Sequence, residues 1–470
     1  MPSILFLNRV YPPMSGATGD LLAELAQALA RKGDSVTIVT SGSAEAHPED
    51  GSWKMEEAEA PSHAGPLSTV HLPPSTVPRP PSTVHRPPVR IERVGGLPFT
   101  RASHFKRAIS YLSLYPRLLG RALRLPKHDI VVTMTDPPLH LVLGPPIKWI
   151  KGGRLYHWAQ DVYPEIAEEL GVIRKNGLRA CFLRALSTWS MKRCDLVIAV
   201  GECMKTRLIA RGIPPNKIVV MPNWAQSCGG DKKVIGYRLS VETPSPYSLI
   251  PNPSSSPSAP PNNQEPITNN PTPYSLIPNP YSSPSDGAPF TVMYSGNFGL
   301  AHTFEPIVEA VRLLATRDAT IQFHFVGDGP RLPWLKEQLS GCANAQFLPF
   351  QPPEKLQASL ASADLHLASM RKDLCGLVVP SKVYGILAAG RPCLFIGPRE
   401  SEVARLIASN GCGEVLEDAS GETLAEKIQK WKNSPEDLQK AAKKAEELSG
   451  TLTVGTAVDA PVWKEGRIRD

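Results

Sequence analysis

A hydroxyl and an ammonium stand next to each other in this sequence at the start of a predicted helix. Ser381 and Lys382 follow Pro380, and the helix is expected to end at Gly390. The first turn of a helix presents unpaired N–H groups and the positive end of the helix dipole, which together favour an anion. We therefore predict a diphosphate site at Ser381 and Lys382. Arg371 is a further candidate cation, with a solvated ion pair as the equal alternative.

Two glycine-containing loops follow predicted strands in the same half of the chain. One contains Gly296, Asn297 and Gly299, and the other contains Gly327 and Gly329. Glycine allows the backbone to approach a ligand closely. Either loop alone is a weak signal, because part of a glycine fingerprint often occurs by chance. Together with the diphosphate site, the two loops predict a cradle for a nucleotide.

A third loop, in the first half, contains Gly16, Ala17 and Gly19 and leads into an amphipathic helix. Its spacing is not that of the G-x-G-x-x-G fingerprint, which argues against dinucleotide binding. We expect this loop to face the second substrate. A plain strand-to-helix turn is the alternative.

Acid–base chemistry has three candidates in the first half. Asp161 directly follows an apolar strand, and Glu165 lies one helical turn further, so either carboxylate can orient a hydroxyl or accept its proton. A helix N-cap is the alternative for Asp161. His157 is the third candidate, although a histidine within an apolar, aromatic segment is commonly a hydrogen-bonded core residue.

Short apolar strands alternate with helices in both halves, and they must position these loops. The predicted strands are residues 3–7, 35–40, 130–134, 155–158, 196–200 and 218–221, then 291–294, 321–326, 346–348, 365–368, 393–396 and 414–416. This alternation predicts an α/β protein with two doubly wound, Rossmann-like parallel sheets. The loops at the carboxyl ends of the strands would then face each other across a central cleft.

Two tracts rich in proline and serine interrupt this pattern. Residues 61–90 repeat Ser-Thr-Val every seven residues, and an octapeptide that begins at Pro246 begins again at Pro273. Such composition predicts disordered insertions, which loops tolerate at low entropic cost. A proline-rich ligand for an aromatic groove is the alternative. The predicted division is an N-terminal domain of residues 1–225, an insertion at 226–288, a C-terminal domain of residues 289–445 and a tail from 446 to 470.

The net charge of +7 is modest for 470 residues, and much of it lies in residues 101–127, which contain no acidic residue. Leucines and Ile109 lie among these arginines and lysines, a composition typical of a helix on an anionic membrane surface. A solvated helix face is the alternative. The pattern is a local basic patch and gives no reason to expect a nucleic-acid partner.

The eight cysteines form no Cys-x-x-Cys pair and no zinc-binding spacing, which favours reduced thiols without a metal site. The N-terminus carries no charged leader, and prolines and an aspartate interrupt the apolar residues at 130–150, so neither a signal peptide nor a spanning helix is expected. We expect a cytoplasmic protein, or one bound peripherally to the inner face of the plasma membrane.

Five motifs occur in an order that resembles the family 4 glycosyltransferases of the GT-B fold, and among them the WbuB-like enzymes of capsule, colanic-acid and O-antigen assembly. They are Trp-Ala-Gln-Asp-Val-Tyr-Pro-Glu at 158–165, Met-Pro-Asn-Trp at 221–224, Tyr-Ser-Gly-Asn at 294–297, Val-Gly-Asp-Gly at 326–329, and Pro-Ser-Lys at 380–382 with Ala-Gly-Arg-Pro at 389–392. The resemblance covers nearly everything outside the two tracts.

The resemblance implies a retaining glycosyltransferase that needs no cofactor or metal. The C-terminal domain would bind a nucleotide-sugar, with UDP as the nucleotide, and the N-terminal domain a polyprenyl-linked or saccharide acceptor. Lys382 and the loop at Gly296 would stabilise the leaving diphosphate, which would itself help to deprotonate the acceptor. Two alternatives remain open at this point: a sugar-nucleotide 2-epimerase of the same fold, and a non-catalytic scaffold of a polysaccharide-assembly complex.

One departure from the family pattern concerns two glutamates that many members carry eight positions apart. Leu377 and Gly385 occupy these positions here, and the resemblance implies that the later glutamate, at the position of Gly385, binds the ribose hydroxyls of the donor. WbuB-like members share the Tyr-Gly pair formed by Tyr384 and Gly385, so the resemblance implies a subgroup variant in which Tyr384 lies in the donor site. A weakened donor site is the alternative.

Overall fold

The computed structural model describes residues 1–14, 16–42, 89–97, 104–225 and 289–464. The insertion predicted at 226–288 lies outside these ranges, as does nearly all of the insertion predicted at 61–90. Within them, no helix is both long enough and apolar enough to cross a lipid bilayer.

The N-terminal half forms a seven-stranded parallel sheet in the order β3-β2-β1-β4-β5-β6-β7. Its strands are β1 (Ser3–Leu7), β2 (Ser35–Ser41), β3 (Arg90–Val94), β4 (Ile130–Met134), β5 (Arg154–Ala159), β6 (Leu196–Ala199) and β7 (Ile218–Val220). Its helices are α1 (Ala17–Arg31), α2 (His104–Arg124), α3 (Gly144–Lys151), α4 (Glu165–Glu169), α5 (Leu178–Arg193) and α6 (Glu202–Ala210), with 3₁₀ helices at His140–Leu143 and Pro215–Lys217.

The C-terminal half forms a six-stranded parallel sheet in the order β10-β9-β8-β11-β12-β13. Its strands are β8 (Phe290–Ser295), β9 (Ile321–Val326), β10 (Ala345–Leu348), β11 (Leu365–Ser369), β12 (Cys393–Ile396) and β13 (Gly413–Leu416). Its helices are α7 (Glu305–Arg317), α8 (Leu332–Gln338), α9 (Pro353–Ala361), α10 (Lys382–Ala388), α11 (Glu402–Asn410), α12 (Gly421–Lys432) and α13 (Pro435–Thr451), with a 3₁₀ helix at Lys372–Leu374. Two further helices follow, α14 (Val454–Val458) and α15 (Pro461–Lys464).

The predicted fold class is confirmed: every strand expected from the sequence is present, each within one residue at either end. Central strands such as β4 and β12 are buried along their whole length, because helices cover both faces of a doubly wound sheet. The strand that sequence reasoning missed is β3. It pairs with β2 alone at the edge of the sheet, and its polar residues do not give an apolar run.

The final described residues return to the N-terminal half. Trp463 is fully buried, and its ring lies 6.0 Å from that of Phe6 in β1. Lys32, directly after α1, forms an ion pair with Asp459. The segment predicted as a tail from residue 446 therefore continues α13 and contributes α14 and α15, which tie the two halves together. Its apolar positions are too few to stand out as a helical pattern in the sequence.

No disulfide links the cysteines in the described ranges, and Cys194, Cys203, Cys393 and Cys412 are buried. The reduced state of the thiols stays a prediction, and Cys228 lies outside the described part of the chain. The same ranges contain no cluster of three or more histidine, cysteine or acidic side chains close enough to hold a metal ion.

Candidate active site between the domains

A cavity of about 580 Å³ lies between the two sheets, where loops at the carboxyl ends of their strands meet. The N-terminal half contributes Ala17 and Trp224 to its wall, among other residues. The C-terminal half contributes most of the rest. From the predicted donor-binding set the wall includes Gly296, Asn297, Gly299, Ser381 and Lys382. The cleft predicted from the sequence is thus present, and it brings these residues together.

Lys382 is the cation of this cavity. Its Nζ donates a hydrogen bond of 2.6 Å to the hydroxyl of Tyr294 and one of 3.4 Å to the carbonyl of Asn297. Among the described residues it forms no ion pair with a carboxylate. Burial lowers the pKa of Lys382 to about 7. An ammonium that is partly desolvated and has only neutral partners is well suited to bind an anion.

The loop that contains Gly327 and Gly329 packs closely against the loop that contains Gly296 and Asn297, and glycine makes this close approach possible. Gly327 has a φ of 136°, and a Cβ there would lie 2.1 Å from the carbonyl oxygen of Gly296. A Cβ at Gly329, with a φ of 152°, would lie 2.5 Å from Oδ1 of Asn297. Gly327 and Gly329 therefore support the loop of residues 296–299, which lines the cavity, but they do not line the cavity themselves. The N–H of Gly296 is itself bonded to Val326, at 2.8 Å, and is not available to a ligand.

The helix predicted after Pro380 is α10, which begins at Lys382 and ends before Gly390, a left-handed residue with a φ of 61°. Ser381 is exposed to the cavity, and its side chain makes no capping hydrogen bond. Ser381 and Lys382 therefore both contribute to the cavity wall, at the start of α10.

His302 is a cavity residue that sequence reasoning did not single out. Its Nδ1 lies 2.5 Å from the carbonyl oxygen of Ser369, so Nδ1 carries the proton and Nε2 is left as an acceptor. Burial and the charge of Lys382 lower the pKa of His302 to about 3, which keeps the ring neutral. A neutral imidazole with a free acceptor is well suited to receive a hydrogen bond from a sugar hydroxyl.

Asp161 does not line the cavity itself, but it lies beside the cavity wall at the junction of the two halves. Its backbone forms an isolated antiparallel bridge with Val378, which lines the cavity, and the N–H of Val162 donates to the carbonyl of Leu377 at 2.9 Å. Burial, with a smaller contribution from Asp136, raises the pKa of Asp161 to about 7. A carboxyl group with such a pKa can exchange a proton near neutral pH.

Gly16 and Gly19 lie behind the cavity wall, on the inner side of the loop that presents Ala17. A Cβ at Gly16 would lie 3.0 Å from a side-chain carbon of Val10, and one at Gly19 would lie 2.8 Å from the same atom. These glycines allow α1 to start close to the end of β1. Of this loop, the structure brings Ala17 to the cavity wall.

Glu165 and His157 do not line the cavity. The carboxylate of Glu165 pairs with Arg211 at 3.2 Å and with Arg184 at 3.5 Å. His157 is buried in the sheet, where Nδ1 lies 3.1 Å from the hydroxyl of Thr133, and burial lowers its pKa to about 4. Both side chains therefore have partners within the N-terminal half.

Arg371 and Tyr384 also lie outside the cavity wall. Arg371 pairs with Asp373, and its Nη2 donates to the carbonyl of Glu169 at 3.1 Å, so it links the two halves. Tyr384 is 1% exposed, within the core that both halves share. These two residues hold the walls of the cleft in position.

The two positions without glutamate differ in surroundings. Leu377 is completely buried at the junction of the halves, whereas Gly385 lines the cavity. A Cβ at Gly385 would lie 3.3 Å from Leu360 of α9. Gln357, three residues earlier on α9, also lines the cavity and places an amide on the same side.

Two facing parallel-sheet domains with a cavity between the carboxyl ends of their strands define the GT-B class of fold. Residues 16–224 match the glycosyl transferase 4-like domain, and residues 279–448 match the glycosyl transferases group 1 family. The chain belongs to the family 4 glycosyltransferases.

The chain is 25% identical over 299 residues to WbjE of Pseudomonas aeruginosa, a probable glycosyltransferase, with 63% of this chain and 64% of the relative covered. It is 24% identical over 285 residues to WcaI of Escherichia coli K12, a putative colanic acid biosynthesis glycosyl transferase, with 58% and 59% covered. The matches therefore span somewhat less than two thirds of each relative.

Solved structures agree on the fold. Anabaena HepE in complex with UDP-glucose superposes with a TM-score of 0.59 at 13% identity, over 100% of both chains. The sucrose-phosphate synthase of Thermosynechococcus elongatus superposes with a TM-score of 0.61 at 12% identity, over 99% of this chain and 98% of the other. At such identities the similarity establishes the GT-B fold alone.

Proposed function

We propose that the protein is a retaining glycosyltransferase that transfers a sugar from a UDP-linked donor to a lipid-linked or saccharide acceptor during surface polysaccharide assembly. The observation that carries this proposal is the ammonium of Lys382, which faces the cleft with only neutral partners. A diphosphate is the anionic part of every nucleoside-diphosphate sugar, so it is the ligand that this position favours. The names of WbjE and WcaI point to the same class of reaction.

In the proposed reaction the bond between the sugar C1 and the donor phosphate oxygen breaks, and a bond from C1 to the acceptor oxygen forms on the same face. The acceptor proton moves to the leaving diphosphate. Lys382 stabilises the negative charge that develops on the diphosphate, and the hydroxyl of Ser381 donates to a phosphate oxygen beside it. His302, with Nε2 as an acceptor, receives a hydrogen bond from a hydroxyl of the transferred sugar.

Asp161 is proposed to act from the acceptor side. Its raised pKa allows the carboxyl group to exist in either protonation state near neutral pH, and its backbone bridge to Val378 keeps it beside the cavity. In this role it orients the incoming hydroxyl. Glu165 contributes indirectly, because its ion pairs with Arg211 and Arg184 fix the helix that follows the Asp161 loop.

The acceptor is proposed to reach the cleft from a membrane. Helix α2 carries most of the basic segment at 101–127. Its inner residues Leu114 and Leu118 are buried, while Ile109 and Leu112 are 40% and 64% exposed. A polyprenyl-linked acceptor would place the enzyme peripherally on the cytoplasmic face of the plasma membrane, where α2 would meet anionic headgroups.

The proposal is tested first by donor binding. Calorimetry with UDP-glucose, UDP-N-acetylglucosamine and GDP-mannose should give saturable binding to one UDP-sugar, and Lys382→Met should weaken it. Incubation of that donor with a lipid-linked acceptor should then give a product with retained anomeric configuration, read by NMR. A correctly folded protein that binds none of the three donors would refute the proposal and favour a scaffold. Formation of an epimer without acceptor would favour the 2-epimerase.

A further inference from the structure

One helix of the N-terminal domain has apolar residues on two opposite sides. On the inner side of α5, Ala180 and Met191 are buried. On the outer side, Leu178 is 92% exposed, Phe182 67% and Trp189 38%. An apolar side chain exposed alone is common, but three at helical spacing form a stripe. A surface helix of a globular protein usually has one apolar side, which packs against the core, so a second apolar side on α5 is unusual.

The neighbouring helix α3 extends this stripe. At its end, Trp149 is 61% exposed and Ile150 is 65% exposed. The rings of Trp149 and Trp189 lie 5.8 Å apart, edge to face, so the two helices present one continuous apolar surface. We name this surface, formed by Trp149, Ile150, Leu178, Phe182 and Trp189, the α3–α5 face.

The α3–α5 face keeps a positive rim after its ion pairs are taken into account. Lys148 pairs with Asp195, and Arg184 pairs with Glu165 and Glu168, whereas no ion pair within the described residues engages Lys151, Arg179, Lys192 or Arg193. Helices α3 and α5 contain no acidic residue, and they carry two and four cations respectively: Lys148, Lys151, Arg179, Arg184, Lys192 and Arg193. The guanidinium of Arg193 lies 5.3 Å from the ring of Trp189 and 5.8 Å from that of Trp149. A second cavity of about 560 Å³ adjoins Trp189 and is lined by Arg184, Lys192 and Arg211.

We propose that the α3–α5 face binds the surface of an anionic phospholipid bilayer. The exposed tryptophans and the phenylalanine would insert among the acyl chains of such a surface. The lysines and arginines around them would bind the phosphates of the headgroups. A second copy of this chain is a poorer partner, because it would bring two cationic rims together. Helix α2 packs against α3, so its basic segment lies next to this face. Membrane binding by this face does not depend on the proposed function. Only the link between the face and a lipid-borne acceptor rests on it.

The test is co-sedimentation of the full chain with vesicles of phosphatidylcholine alone, and of phosphatidylcholine mixed with an equal part of phosphatidylglycerol. We expect binding to the anionic vesicles, weakened by salt. The double variant Trp149→Ser, Trp189→Ser should lower that binding by about tenfold or more, because it removes two exposed aromatic side chains that would insert into the bilayer. Ile209→Ser on α6, a site 38% exposed but outside the face, is the matched control and should bind as the wild type does.

Two results would overturn the inference: no binding of the wild type to anionic vesicles, or unchanged binding of the double variant. Loss of self-association in the double variant, measured by sedimentation equilibrium, would also overturn it by assigning the face to a second copy. Leu112→Ser, at an exposed apolar position of α2 outside the face, should lower the binding less than the double variant does, and a larger loss would assign the membrane contact to α2. Donor binding measured without vesicles should be the same in all these variants. A failure of the membrane-binding inference can therefore be distinguished from a failure of the proposed donor site.

Discussion

The ammonium of Lys382 lies 2.6 Å from the hydroxyl oxygen of Tyr294 and 3.8 Å from the centre of the same ring. Tyr294 is buried, and burial raises the pKa of its hydroxyl far above the usual range, so that the group stays neutral. Tyr294 thus fixes the position of the cation without neutralising it. The positive charge is left for a ligand in the cleft.

Replacement of Lys382 by methionine should weaken donor binding by about 10- to 100-fold, because a hydrogen bond to a charged group contributes roughly 1.5–3 kcal/mol. Calorimetry with the preferred UDP-sugar measures the change. The matched control is Lys444→Met, which removes an exposed lysine paired with Glu447 on α13. Equal affinity of the Lys382 and Lys444 variants would exclude a phosphate contact at Lys382.

Donor affinity should also depend on pH through Lys382. Its pKa of about 7, lowered by burial, means that the free protein carries the ammonium below pH 7 and loses it above. Since the diphosphate binds the charged form, affinity should fall above pH 7, at most about tenfold per pH unit. Arginine stays charged throughout this range, so Lys382→Arg should flatten the profile. A wild-type profile flat from pH 6 to about 9 would contradict the lowered pKa.

Gln357 is expected to take over part of the role that a glutamate at position 385 has in related enzymes. It lies on the cavity side of α9, one turn from Leu360, which faces Gly385. Gln357→Ala should raise the donor dissociation constant about fivefold, the loss of one neutral hydrogen bond. Gln439→Ala, on the exposed side of α13, is the control. Adding Gly385→Glu to Gln357→Ala should restore affinity, and no gain would argue that the ribose lies elsewhere.

The sequence was sufficient for every strand of the two sheets except β3, and for the local grouping of Ser381 and Lys382. Apolar runs bounded by glycine and proline located the strands, and Lys382 with its serine was visible because both stand in one short motif. The remaining site residues depend on partners far away in the chain. The ring of His302 is oriented by a carbonyl 67 positions later, and Glu165 is engaged by Arg184 of α5 and by Arg211, directly after α6. No local pattern contains such pairings.

Asp161 should make the protein less stable as the pH rises. A carboxylate in an ion pair has a lowered pKa and gives the opposite dependence. Its pKa of about 7 in the folded protein exceeds the usual value of 3.8, so the native state binds the extra proton between these values. The free energy of unfolding should therefore fall as pH rises from about 4 through 7. Asp161→Asn should remove this fall and be more stable than the wild type at pH 8, as measured by urea denaturation.

The same variant tests the proposed role of Asp161 in turnover. Loss of the group that orients the acceptor hydroxyl should lower the turnover rate by roughly 10²-fold, whereas donor affinity should change little. Glu447→Gln, an exposed acid paired with Lys444, should leave both stability and rate unchanged. A rate for Asp161→Asn within a fewfold of the wild type would leave Asp161 with a structural role alone.

Deletion of residues 246–284, which contain both copies of the octapeptide, should leave turnover within a fewfold of the wild type. The two halves are held together by contacts outside this segment, among them the bridge between Asp161 and Val378 and the packing of Trp463 near Phe6. A shorter connection costs less closure entropy, and each halving of a loop changes that cost by only about 0.6 kcal/mol. The control is a variant in which residues 246–284 are kept in scrambled order, so that the length is unchanged while the octapeptide is lost. Total loss in the deletion with full activity in the scrambled chain would show that length matters; loss in both would show that the octapeptide itself has a function.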